Sequence, residues 1–134
     1  MHTGNLDPSK VSIIVGGRYL TGFAPDGIFN LVWNADRVTY TAGSQGDGVY
    51  VEGADNSALL TVTLLPTSPS INYLEDLCAG RTEFDSTIND ASRDGHKTYF
   101  GAQCRVQKFA DFARNMQAPT NTWVIIMPSC DKVA

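Results

Sequence analysis

The segment ALLTVTLLPTSPSINYLEDLCAG, residues 58–80, places a strand-like run directly before a helix-like run. In the first part apolar residues recur at every second position, which is the period of a β-strand. One face of this strand is apolar and the other carries two threonines: Leu60, Val62 and Leu64 on the first face, Leu59, Thr61, Thr63 and Leu65 on the second. Pro66 is predicted to end the strand, because proline cannot donate to a strand ladder.

The second part of the segment predicts one short α-helix over about residues 69–79. Ser68 is a favourable N-cap, Pro69 suits the first helical position, and Gly80 suits the residue after the last turn. An apolar stripe at helical spacing indicates a helix that lies on a core. Its members are Ile71, Leu74, Leu77 and Cys78.

Most of the remaining sequence predicts further β-strands, so the chain is expected to be mainly β. Runs rich in β-branched and aromatic residues are separated by turn residues. They cover residues 11–23, 28–34, 37–43, 83–90, 97–107 and 121–128. In residues 97–107 the alternation predicts two faces: Phe100, Ala102, Cys104 and Val106 against Tyr99, Gln103 and Arg105.

Residues 43–56 are predicted to form a long loop, with a small hairpin around Val49–Val51 as an alternative. This stretch holds four glycines and three acidic residues but no basic one. The acidic residues are Asp47, Glu52 and Asp55. Tyr50 lies between two valines, and an apolar loop tip of this kind indicates a contact with another molecule.

The length of 134 residues fits one domain, residues 1–134, with an N-terminal arm at 1–10 and a C-terminal tail at 129–134. The net charge is −4 and the basic residues are scattered, which argues against a basic face that binds nucleic acid. No apolar run approaches the ~20 residues of a membrane span. The polar start lacks a signal-peptide core, so we expect a protein that folds in the cytoplasm.

The sequence offers little for catalysis, cofactor binding or metal binding. Its two histidines, His2 and His96, lie at the N-terminus and beside a turn, away from any pattern of a catalytic unit. The three cysteines are too far apart for zinc-ligand spacing. We expect Cys78 and Cys104 to pack in the core, and Cys130, in the terminal segment, to be accessible. No enzyme, cofactor or metal is therefore predicted.

Three stretches resemble the tail tube proteins of contractile-tailed bacteriophages: VGGRYLTGFAPDG near the start, SALLTVTLLPTSPSINYLEDL in the middle and WVIIMP near the end. The resemblance covers nearly the whole chain. It implies an antiparallel β-sandwich or barrel with one flanking helix. It also implies hexameric rings that stack into a hollow tube, through which DNA passes as cargo. Related tubes occur in R-type bacteriocins and, more distantly, in type VI secretion.

The resemblance also implies partners and contact residues. The partners are other copies of the chain, a sheath protein, and baseplate, tape measure and terminator proteins; no membrane is bound. The long loop of the family reaches a neighbouring ring, which assigns that contact to Asp47, Tyr50, Glu52 and Asp55. The expected lumen-facing residues are Thr39, Thr41, Thr61, Thr63, Gln103 and Arg105. The expected location is the virion tail, assembled in the host cytoplasm.

Two other readings of the sequence stay open. In the first, the chain is another tube-like component, such as a tube initiator, a tail terminator or a bacteriocin or secretion tube. Alternatively, it is a monomeric β-sandwich binding module in which residues 43–56 hold a ligand. The assembly state of the purified protein separates these readings, because a binding module stays monomeric at high concentration.

Overall fold

The computed structural model describes residues 10–24, 29–91, 97–112 and 120–133. These ranges contain the following elements: β1 (Val11–Val15), β2 (Arg18–Tyr19), β3 (Phe29–Trp33), β4 (Val38–Ala42), β5 (Gly48–Glu52), β6 (Ala58–Leu64), α1 (Ser70–Ala79), β7 (Phe84–Asp90), β8 (Lys97–Val106), β9 (Asn121–Met127) and β10 (Ser129–Lys132). The prediction of a mainly β chain with one short helix is confirmed over this part of the chain. The predicted arm, except for Lys10, and both histidines lie outside the described residues.

The main sheet is antiparallel and closes on itself. Its strand order is β2-β1-β7-β8-β9-β6-β3, with β10 paired to β8. The Leu20 N–H donates to the Ile13 carbonyl in β1 at 2.9 Å, whereas the Ala24 N–H donates to the Thr63 carbonyl in β6 at 3.0 Å. Because one continuous segment bonds to strands at opposite ends of this order, the sheet forms a barrel, which leaves few unpaired strand edges.

Strand β6 lies in the middle of the barrel wall, and its burial alternates as the sequence predicts. Leu60, Val62 and Leu64 are fully buried, whereas Thr61 and Thr63 on the other face are half-buried. Strand β3 pairs with one edge of β6 and β9 with the other. The inward residues of these strands, with Trp123 and Ile125 of β9, form the core of the barrel.

Helix α1 packs on the barrel through the predicted stripe. Leu74 is fully buried, and the other three members are half-buried against the same core. The Tyr73 hydroxyl donates to the Val15 carbonyl at 3.0 Å and so ties the helix to the end of β1. The helix is ten residues long, and no helix among the described residues is long and apolar enough to cross a membrane.

Two serines at the start of the helix hold the segment that closes the barrel. The Ser68 hydroxyl donates to the Thr21 carbonyl, and the Ser70 hydroxyl accepts from the Thr21 N–H at 2.9 Å. Both serines are buried, at 8% and 1% exposure. Ser68 also accepts from the Ser70 N–H at 3.2 Å, as an N-cap does, and Pro69 already has helical dihedrals. The turn therefore fastens the closing segment to the helix.

The helix ends in a Schellman motif with an unusual residue. The Thr82 N–H donates to the Leu77 carbonyl at 3.1 Å, and the Arg81 N–H donates to the Cys78 carbonyl at 3.3 Å. Gly80 follows the helix as predicted but has right-handed dihedrals, with φ −81°. Arg81 instead takes the left-handed conformation, with φ +49°. An arginine thus occupies the position that glycine prefers.

The predicted faces of residues 97–107 are wrong in their first half. Strand β7 pairs Phe84 with Cys104 but Ser86 with Gly101, so β8 carries one extra residue in a bulge. Gln103 occupies the bulge with φ +57°. A one-residue insertion exchanges the two faces of a strand. Before the bulge, Tyr99 therefore packs against the core, whereas Phe100 lies on the outside at 40% exposure.

Gly101, just before this bulge, is required by close packing. A Cβ atom at this position would lie 2.4 Å from the Met127 Cε and 3.0 Å from the Ser129 carbonyl oxygen. These atoms belong to the end of β9 and the start of β10, which follow one another in pairing with β8. The absence of a side chain therefore lets the chain pass close to β8 at this point.

The predicted C-terminal tail is part of the barrel as far as it is described. Residues 129–132 form strand β10, which pairs with β8 after a bend at Pro128. Cys130, expected to be accessible, is 1% exposed. Burial raises the pKa of its thiol to about 11, with a smaller contribution from the Asp131 charge. Burial likewise raises the pKa of the Cys104 thiol.

Candidate assembly interface

Strands β4 and β5 form a separate two-stranded hairpin, here called the hairpin, residues 38–52. Among the described strands, they pair with each other and not with the barrel. Part of the segment predicted as a long loop is thus a strand, as the hairpin alternative anticipated. All ten residues in the two strands are exposed.

Both faces of the hairpin carry apolar side chains. On one face, Tyr40 lies opposite Tyr50, with ring centroids 5.1 Å apart. The Tyr50 side chain is 73% exposed. On the other face, Thr39 lies opposite Val51 and Thr41 opposite Val49. A small two-stranded ribbon with apolar residues on both faces has no core of its own and needs a covering surface.

Close contacts at Gly43 and Gly48 determine the shape of the hairpin. The Gly43 N–H donates to the Asp47 carbonyl and closes the turn. The Tyr40 ring lies directly over the backbone of Gly48, where a Cβ atom would overlap it. Glycine at position 48 therefore leaves room for the Tyr40 ring, which is tilted by 49° to the Tyr50 ring.

The four residues predicted to contact a neighbouring ring lie in three places. Asp47 lies in the turn, Tyr50 and Glu52 lie on the same face of β5, and Asp55 follows the hairpin. The Asp55 carboxylate accepts from the Ser57 N–H at 2.9 Å. This hydrogen bond lowers the pKa of Asp55, which is otherwise fully solvated. Asp55 thus shapes the chain at the base of the hairpin.

The outward side of β3, β6 and β9, here called the open face, contains a polar and an aliphatic part. In the polar part, Thr61 lies opposite Asn30 and Val124, and Thr63 lies opposite Thr122. In the aliphatic part, Leu59, which the alternation already places on this face, lies between Val32 and Ile126. Only the pairing register brings these three side chains together, so no local sequence signal identifies Val32 and Ile126 as its neighbours.

The six residues predicted to face a lumen do not form one surface. Thr61 and Thr63 lie on the open face and Arg105 lies at its margin in β8, whereas Thr39 and Thr41 lie on the hairpin. Gln103 occupies the bulge of β8.

Arg105, opposite Ile126 at the margin of the open face, has an acidic partner. Its Nη2 atom lies 2.7 Å from Glu83 Oε1, and both side chains are about half-exposed. The pair leaves little net charge at this place on the barrel.

The hairpin joins the barrel at two short segments, residues 34–37 and 53–57, here called the junction. On the barrel side, the Asn34 amide donates to the Ser57 hydroxyl at 2.9 Å. On the hairpin side, the Gly53 N–H donates to the Arg37 carbonyl at 2.7 Å. Asn56 lies between these two contacts and bonds to the C-terminal strand β10.

A cavity of about 280 Å³ lies beside the junction. It is lined by Trp33, Ala35, Arg37, Asp55, Asn56, Tyr99, Cys130 and Lys132. This volume is at the lower limit of ligand pockets. Within the described ranges, no three side chains of histidine, cysteine, aspartate or glutamate converge to hold a metal ion.

Comparison with known proteins gives structural matches only. No protein-family model matches the sequence, and no curated protein matches it. The fold is similar to the tube terminating cap of the anti-feeding prophage, with a TM-score of 0.62 and 9% identity over 99% of this chain and 93% of that one.

Two further similar chains come from an extracellular contractile injection system called PVC. Its sheath/tube terminator matches with a TM-score of 0.62 and 10% identity over 97% of both chains. A chain of its sheath-tube complex matches with a TM-score of 0.55 and 12% identity over 96% of this chain and 93% of that one. The protein therefore has the fold shared by tube and tube-terminator proteins of contractile injection systems.

Proposed function

We propose that this protein is the structural subunit of a bacteriophage tail tube. Six copies form a ring, and rings stack into a hollow conduit for DNA inside a sheath. The subunit has no catalytic role and acts through contacts with itself, the sheath, and the baseplate, tape measure and terminator proteins. It is assembled in the host cytoplasm and then resides in the tail.

The observation that carries this proposal is the hairpin. It leaves the barrel with valines and tyrosines exposed on both faces, and a hairpin of this size is marginally stable alone. A second copy of the chain, stacked on the first, supplies the missing cover. The similar folds of tube and terminator proteins, matched over almost the whole chain, support this assignment.

The polar part of the open face is the proposed lumen wall. Thr61, Thr63 and Thr122 are uncharged, and the Arg105 charge is offset by Glu83. A net charge of −4 for the chain disfavours adhesion to DNA, because like charges repel. Such a wall lets a polyanion pass without binding it. Thr39 and Thr41 lie on the hairpin and not on this wall, so they face the lumen only in an assembly where the hairpin points toward the tube axis.

A tube terminator is the second candidate. The two terminator chains match with a TM-score of 0.62, against 0.55 for the chain of the sheath-tube complex. A terminator ring covers the end of a tube and does not grow further. The tube subunit and the terminator thus differ in whether one ring accepts the next.

Negative-stain microscopy and sedimentation velocity of the purified protein test the proposal together. A tube subunit gives rings that stack into hollow fibres as concentration rises, and a terminator stops at single rings. A chain that stays monomeric at high concentration refutes both functions. It would favour the binding-module alternative, with the cavity beside the junction as its site.

A further inference from the structure

Asn56 connects the hairpin to the barrel through three hydrogen bonds. Its carbonyl accepts from the Cys130 N–H at 3.0 Å. Its side-chain Oδ1 accepts from Arg37 Nη2 at 3.3 Å, and its Nδ2 donates to Asp131 Oδ1 at 3.5 Å. Arg37 directly precedes β4, whereas Cys130 and Asp131 belong to β10. One side chain therefore bonds both to the residue that leads into the hairpin and to the barrel.

The other junction contacts lack this bridging role. The Gly53 contact to Arg37 closes the hairpin on itself, and the Asn34 contact to Ser57 continues the pairing of β3 with β6. Neither reaches β10. Among the described strands, those of the hairpin pair only with each other. The hydrogen bonds of Asn56 are therefore the described contacts that set the direction of the hairpin relative to β10.

The side of β10 that Asn56 contacts is itself firmly held. The Trp33 indole N–H donates to the Cys130 carbonyl at 3.4 Å, and the Trp33 ring meets the Tyr99 ring edge-on at 5.4 Å. Cys130 is buried, and β10 pairs with β8 along four residues. Asn56 thus holds the hairpin against a rigid part of the barrel.

We infer that Asn56 is a positioning residue, which fixes the direction of the hairpin so that it meets a second copy of this chain. The inference rests on the proposed function. A five-residue strand is about 17 Å long, so a rotation of about 10° at the junction moves the tip by about 3 Å. A shift of this size separates surfaces that pack at van der Waals distance. Fixing the direction before docking lowers the entropy lost on assembly.

An exchange of amide and carboxylate tests this role. Asn56→Asp removes the donor toward Asp131 and brings two carboxylates together, so the side-chain link to β10 is lost while the backbone bond from the Cys130 N–H stays. Adding Asp131→Asn restores a donor and an acceptor with their roles exchanged. Asn72→Asp, on the exposed surface of α1, introduces the same charge change away from the junction and is the matched control.

The direction of the hairpin is measured on the monomer with spin labels at Ser44→Cys and Glu75→Cys, both exposed positions. The background carries Cys78→Ser, because Cys78 is the half-exposed native thiol, whereas Cys104 and Cys130 are buried. The expected distance distribution is narrow in the parent, at least twofold broader with Asn56→Asp, and narrow again in the double variant. An unchanged width with Asn56→Asp, or a width that the double variant does not restore, overturns the inference.

Assembly and melting of the same proteins without labels complete the test. Asn56→Asp is expected to slow fibre or ring formation about tenfold while the melting temperature of the subunit stays within a few degrees. A purely structural role predicts instead that assembly falls only as far as the melting temperature does. If the parent does not assemble, the proposed function fails, and the label distances still decide whether Asn56 directs the hairpin.

Discussion

Strands β6 and β4 have similar sequence patterns and opposite environments. In both, threonines alternate with apolar residues, in ALLTVTL at 58–64 and VTYTA at 38–42. Every second residue of β6 is buried, whereas all five residues of β4 are exposed. The alternation is therefore sufficient to predict a strand, but it does not tell which strand contributes to a core.

The neighbours of each strand explain this difference. Strand β6 has partners on both edges and the barrel core on one face. Strand β4 has one partner, β5, and no described element covers it. Apolar burial supplies most of the folding free energy, so the barrel determines subunit stability. The hairpin is free to contribute to assembly.

The largest expected contrast comes from one substitution made in both regions. Val62→Ala removes two fully buried methyl groups and should lower the free energy of unfolding by about 2 kcal/mol. Val49→Ala removes the same groups from a side chain that is 61% exposed and should change the free energy of unfolding by less than about 0.5 kcal/mol. Urea unfolding of the monomer measures both values. Equal losses would show that the hairpin packs on the barrel.

The second test separates two hydroxyl groups at the start of the helix. Ser70→Ala leaves the Thr21 N–H without its acceptor at a part-buried hydrogen bond and should cost about 1–2 kcal/mol. Thr67→Ala, three residues earlier and exposed, is the control and should be nearly neutral. Thermal melting compares the two. Similar melting temperatures would mean that the serine contact does not hold the closing segment of the barrel.

The third test increases the stability of the barrel and leaves the hairpin unchanged. Arg81→Gly places the residue that tolerates left-handed backbone at φ +49° and should raise the free energy of unfolding by about 1 kcal/mol. Gly80→Ala should not reproduce this gain, because the added Cβ atom would lie 3.1 Å from Thr82 Oγ1 and 3.4 Å from the Asp76 carbonyl oxygen. Assembly should be unaffected by Arg81→Gly. A loss of stability would indicate that the Arg81 side chain makes a contact that outweighs the backbone strain.

The smallest stability effect is expected on the hairpin, together with a large effect on assembly. Tyr50→Ala removes an exposed ring and should change the free energy of unfolding of the monomer by less than about 0.5 kcal/mol. Fibre or ring formation should nevertheless be lost, because tyrosines often carry much of the energy of an interface. Tyr19→Ala, on the barrel at 60% exposure, is the comparison. If sedimentation shows Tyr50→Ala assembling normally, the hairpin is not an assembly contact.

Local sequence signals were sufficient to predict features that depend on residues close together in the sequence. The alternation in 58–64 predicted β6, and the serine, proline and apolar stripe of 68–78 predicted α1, because strand period and helix capping are short-range properties. Tyr50 was predicted to be a contact residue because an apolar residue stands out in a polar, glycine-rich stretch, and this stays a prediction. The inferred role of Asn56 had no such signal, since its partner Asp131 lies 75 residues away.

The tertiary structure alone decided which faces are buried and which elements stay apart. The bulge at Gln103 exchanges the faces of β8, and its cause is the pairing with β7, which no local pattern contains. The closure of the barrel buries Cys130 in a strand that the sequence presented as a tail. By itself, the sequence determined most of the strands and the helix, because these depend on residues a few positions apart. Burial, register and the separation of the hairpin depend on long-range pairing, and only the folded chain settles them.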